Sequence, residues 1–176
     1  LISLALGGLI VAGRLPLLVT PALARRWIVA FPRLTWPGWI LAALDLAWSA
    51  WILYEMPMGR FDAYKPALYG LAPVAFLLVV FYLNELLSVR ALGGLLLLVA
   101  NPILDAARWH HSPARLILVG IAYALVVIGM IYVISPYRFR TIATAILDDS
   151  DTRCRIVGTL GVLTGLALIF LGWRVY

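Results

Sequence analysis

Charge, sulfur and imidazole are all scarce in this sequence. Asp, Glu, Lys and Arg make up 12% of the 176 residues, against about a quarter in an average soluble domain. With 64% hydrophobic residues and a mean hydropathy of +1.01, that scarcity excludes a water-solvated globule. A single cysteine, Cys154, excludes an intramolecular disulfide and any multi-cysteine zinc or iron–sulfur set. It reads as a small apolar residue at a helix start. The sequence has only two histidines, His110 and His111. They are adjacent and point different ways on a helix, so they cannot converge on one metal ion. A metal held by this chain alone is therefore not expected. A haem or chlorophyll-type pigment would have to use one of the two histidines as its sole ligand here. No G-x-S-x-G, H-E-x-x-H or phosphate-binding loop occurs, so the chain reads as non-catalytic.

The net charge of +6 comes from 14 basic residues. All but Lys65 are arginines, spread one or two at a time, and they form no patch of the kind nucleic acid requires. Membrane lipids are the expected partners, with basic side chains beside anionic headgroups.

Long apolar runs dominate the rest. A helical span needs about 20 mainly apolar residues, and six candidate segments are present: about 1–20, 37–54, 66–83, 91–104, 115–134 and 155–173. The expected fold is a single all-α integral membrane domain, a polytopic bundle of about six transmembrane helices with short loops, five being the alternative count. The fourth segment is short enough to be re-entrant or tilted. The first lacks a small-residue cleavage site after a short apolar core and reads as a span, not a signal peptide.

Counting Lys and Arg in the connections gives eight in the first, third and fifth (Arg25, Arg26, Arg33, Arg90, Arg138, Arg140, Arg153, Arg155). The others and the C-terminal end carry five (Arg60, Lys65, Arg108, Arg115, Arg174). The odd connections are therefore expected in the cytoplasm and both termini outside, in a bacterial inner membrane. Segments one and five both end in S/T-P-x-x-x-R, at Thr20-Pro21 to Arg25 and at Ser135-Pro136 to Arg140. If this echo is meaningful, both exits lie on one side. After the second, Phe139, Ile142, Ala143 and Ile146 recur at helical spacing and predict a short interfacial helix. The DDSD run at 148–151 reads as a cap for the last span and lacks the spacing of a calcium loop.

Two charges fall inside apolar runs. Arg14 lies seven residues before Pro21, and Asp45 nine after Trp36, so in a hairpin their depths would differ by about 3 Å. An Arg14–Asp45 ion pair is expected, either as an assembly clamp or as part of an ion or solute path. Small residues at helical spacing mark close packing: Gly158, Gly161, Gly165 and Gly172 in the last span, Gly8 and Ala12 in the first, Gly120 and Ala124 in the fifth. Gly93, Gly94 and Pro102 could mark a broken helix of the transporter type.

With few polar groups at depth and no catalytic set, the expected role is an accessory or scaffold subunit of a larger inner-membrane complex, with other membrane subunits as partners. The alternative is a small ion or solute transporter or channel using Arg14 and Asp45. A third reading is an enzyme acting on lipid headgroups. Glu55, Arg60, Asp62 and Lys65 form a charged cluster in the second connection, read as an ordinary solvated loop.

Overall fold

The computed structural model describes residues 2–57, 59–82, 86–108, 115–147 and 151–174. Among these residues the chain is helical throughout, with no strand. The helices are α1 (Ile2–Val19), α2 (Pro21–Ala30), α3 (Thr35–Glu55), α4 (Leu68–Tyr82), α5 (Leu87–Arg108), α6 (Arg115–Ile134), α7 (Tyr137–Leu147) and α8 (Asp151–Arg174). Short 3₁₀ segments at Phe31–Arg33 and Gly59–Ala67 join α2 to α3 and lead into α4.

Four helical stretches are long and apolar enough to cross a membrane, ending in α4, α5, α6 and α8; the bent pair α1–α2 would make a fifth. At 21 residues α3 is long enough but not apolar enough to be counted with them. Asp45, Glu55 and four tryptophans account for that. The structure therefore supports four to five spanning helices on composition, one or two fewer than the six expected.

The fourth segment is one continuous helix of 22 residues that accommodates Gly93, Gly94 and Pro102, not a re-entrant or broken piece. Its stretch from Leu87 to Ala91 is buried apart from Arg90, and packing there extends the helix beyond its most apolar core. The segment after Ser135-Pro136 is the short amphipathic helix α7. Its counterpart after Thr20-Pro21 is α2, turned 116° from α1. Proline lacks the N–H that would continue the preceding helix but suits a helix start.

Glycines set the helix directions. A Cβ on Gly7 would meet the Gly165 carbonyl oxygen at 2.7 Å, and one on Gly158 would meet Leu17 and Leu18 within 3.2 Å. α1 and α8 therefore run antiparallel in close contact. Gly93 and Gly129 make the matching crossing of α5 on α6, each 2.8 Å from the other's carbonyl oxygen when given a Cβ. Gly38 of α3 lies against Ser88, and Gly94 of α5 against Asp45, so α3 and α5 are parallel. Ser88, 1% exposed, donates its hydroxyl to the Leu34 carbonyl and ties the start of α5 to the entrance of α3.

By contrast, nothing lies within 4 Å of a Cβ on Gly8 or Gly120, and Ala12 and Ala124 are exposed. Close contacts therefore surround Gly158, Gly161 and Gly165, and none is found at Gly8 or Gly120. Gly172 is buried.

Ala100, Ile103, Ala107, Leu118, Ala122 and Leu168 form the core that joins α5, α6 and α8, with Leu6 and Ile10 of α1 against it. At one end, Cys154 is fully buried with Leu17 and Ala24, locking α8 to α1 and α2. Phe139 of α7 stacks near Phe31, at 6.0 Å, and Tyr132, at 5.3 Å. The helices α2 and α7 consequently sit together at one end, as the sequence echo requires.

Candidate functional site

The α2–α7 end collects Arg25, Arg26, Arg33, Arg138, Arg140, Arg153 and Arg155. Arg26, Arg33, Arg138, Arg140, Arg153 and Arg155 are exposed, and Trp27 and Tyr137 are exposed beside them. Hydrogen bonding from Arg138, then from Ser135, holds the Tyr137 phenol below its ordinary range. Asp151 stands in the first turn of α8, where a carboxylate complements the helix dipole. Its neighbours 148–150 lie outside the described residues.

Arg14 and Asp45 form no ion pair. The hairpin assumption behind that expectation fails because α2 carries the chain away along the interface. α1 then packs on α8 and α3 on α5. Arg14 lies over Gly161, whose Cβ would come within 2.6 Å of the arginine Cγ, and its charge acts on Tyr132 of α6. The absent side chain at Gly161 is what gives the arginine stem its seat.

Asp45 instead opens onto a cleft of about 260 Å³ bounded by α3, α4, α5 and α6. Ala42, Leu46, Val79, Leu87 and Val133 supply apolar walls, and Arg90 is the other charged residue on the lining. Asp45 Oδ1 and Arg90 Nε are both buried without a hydrogen-bond partner. The opposite oxygen, Oδ2, lies where a Cβ on Gly94 would be 2.7 Å away, so any side chain at 94 would require this carboxyl to shift. Gly94 is four residues beyond Arg90, which sets the two groups about 6 Å apart in depth. An acidic and a basic group thus share one low-dielectric cleft, each with unused hydrogen-bonding capacity. Such a site can accept a polar group from a neighbouring helix, or water and a small ion.

Sequence reasoning missed Arg90 by assigning it to a loop. The signal was available in Val89 and Ala91, which flank it and extend the apolar run of segment four. His110 and His111 lie outside the described residues. Among the described residues no group of three His, Cys, Asp or Glu side chains is placed to hold a metal.

These features define an all-helical protein with several helices apolar enough for a membrane and a charged cleft among α3, α4, α5 and α6. A bacterial family model, described as "Uncharacterized protein conserved in bacteria (DUF2065)", matches residues 117–172, which cover nearly all of α6, all of α7 and most of α8. No curated protein and no solved structure matches the chain.

Proposed function

We propose that this protein is a non-catalytic accessory subunit of a larger bacterial inner-membrane assembly. The observation that carries the reading is the Asp45–Arg90 cleft, where two buried polar atoms lack hydrogen-bond partners among the described residues. Leaving polar groups unsatisfied at membrane depth is costly, and a polar side chain from a neighbouring subunit would remove the cost. The cleft borders α4, whose span buries none of its length within the chain. The neighbour would approach from that side, with membrane lipids covering the remaining apolar surface. Gentle extraction from the native membrane followed by native mass measurement tests this. A mass above the monomer with other polypeptides attached is the expected result, and a lone monomer or homo-oligomer would sink it. An absorbance spectrum of the same material tests for a haem or chlorophyll-type pigment at His110 or His111.

A transporter or channel is the second reading, favoured by the same cleft being lined by both Asp45 and Arg90. It uses Asp45 with Arg90 in place of the expected Arg14.

In this proposal the chain crosses six times: α1, α3, α4, α5, α6 and α8. The antiparallel pairings of α1 with α8 and of α5 with α6, and the parallel pairing of α3 with α5, favour that count. The arginines of α2 and α7 then face the cytoplasm and both termini the outside. In a Cys154→Ala background, Arg33→Cys and Thr141→Cys are expected to resist a membrane-impermeant maleimide in intact cells, while Lys65→Cys reacts. Labelling of the first two from outside would invert the orientation. Labelling of only one of them would break the six-span count.

A further inference from the structure

A second cleft, of about 510 Å³, opens between the last turns of α3 and the first turns of α4. Trp51, Tyr54, Glu55, Tyr69, Ala72 and Pro73 line it. We infer that it holds the ammonium-bearing headgroup of a zwitterionic phospholipid, independently of the subunit reading.

Three observations converge on that chemistry. The Tyr54 and Tyr69 rings stand 6.1 Å apart at 57°, and with Trp51 they place three aromatic side chains on the lining of one cleft. Ring faces attract cations, and aromatic cages for alkylated ammonium groups are built this way. The site already shows this preference, because Lys65 Nζ lies 5.8 Å from the centre of the Tyr54 ring. Glu55 adds a carboxylate on the lining with no ion-pair partner among the described residues, whereas Asp62 is engaged by Lys65 at 2.9 Å. A cation entering the cleft therefore meets aromatic rings and a carboxylate without an ion-pair partner among the described residues.

Position selects a lipid over a soluble amine. Tryptophan and tyrosine favour headgroup depth, and the cleft is otherwise apolar, lined by Ala72 and Pro73. Below it the exposed Leu44 and Ile40 of α3, seven and eleven residues before Trp51 and so on its helical face, continue toward the middle of the span, offering a surface for an acyl chain. Lys65 at the rim supplies positive charge for the phosphate. Glu55 lies ten residues beyond Asp45, about 15 Å along α3, so this cleft is separate from the Asp45–Arg90 cleft.

The test is native mass spectrometry of the purified full chain titrated with phosphatidylethanolamine or phosphatidylglycerol of identical acyl chains. The expected result is about five- to tenfold preferential retention of the ethanolamine lipid. Glu55→Gln and Tyr69→Leu should each reduce that preference toward parity without shifting the thermal unfolding of the protein. Equal retention by the unaltered protein, or a preference surviving both substitutions, overturns the inference. Choline chloride competing as effectively as the lipid would make this a solute site and equally overturn the lipid assignment.

Discussion

Gly7→Leu is expected to destabilise the folded protein by about 3 kcal/mol or more, whereas Gly8→Leu, one residue away, leaves it nearly unchanged. The contrast follows from what each side chain would meet. At Gly7 even a Cβ lies 2.7 Å from both the Gly165 carbonyl oxygen and the Ile169 Cγ1, while at Gly8 nothing lies within 4 Å. Backbone cannot yield as a flexible side chain can, so α1 and α8 must separate along their contact. In a membrane that contact rests chiefly on van der Waals packing between small residues, since lipid tails are as apolar as the helices themselves. Thermal unfolding of the two variants in one mild detergent checks this. Equal tolerance at both positions would mean that α1 and α8 do not cross at Gly7 and Gly165.

The second large effect has the opposite sign. Asp45→Asn is expected to stabilise the isolated chain by about 1–3 kcal/mol, because it removes a charge that the chain leaves unpaired while keeping nearly the same shape beside Gly94. The gain should come with a loss elsewhere, as is common where a functional group is held at a cost to stability. If the protein is an assembly subunit, the variant should lose its partners and fall in native mass. If it is a transporter, mass should be retained while flux disappears. A variant less stable than the parent would show that Asp45 has a partner within its own chain, and the candidate site would have to be abandoned.

Much of the architecture was legible because bilayer physics writes directly into composition. The run at 115–134 coincides with α6, bounded by Arg115 and the Ser135-Pro136 stop, and the spacing of Phe139, Ile142 and Ala143 marks the helix α7. α3 was legible as a helix, although Asp45 and its tryptophans keep it from counting as a span on hydropathy. α2 was missed because two arginines and Trp27 in a ten-residue segment read as a polar connection, while its amphipathic face lies against α1, α7 and α8.

The candidate site was legible only in half. Asp45 stood out because a carboxylate in an apolar run is conspicuous whatever it faces. Its companion was misassigned, since periodicity along one helix carries no information about which helix lies beside it. The hairpin argument set α1 beside α3, whereas α1 packs on α8 and α3 on α5. Gly161 was singled out as a packing residue, yet its use as the seat for Arg14 belongs to the α1–α8 contact and to no local pattern.

From the amino-acid sequence alone come the solvent this protein is built for, the helical state of its chain, the proline-marked exits at Pro21 and Pro136, and the end at which its arginines gather. Each depends on transfer free energy or on local backbone chemistry, which act residue by residue. Tertiary structure decided that α1 pairs with α8 and α3 with α5, that Gly93 meets Gly129, and that Asp45 shares a cleft with Arg90. Those choices are made by close packing between segments far apart in the chain, where a missing Cβ on one helix matters only through the atom it admits from another.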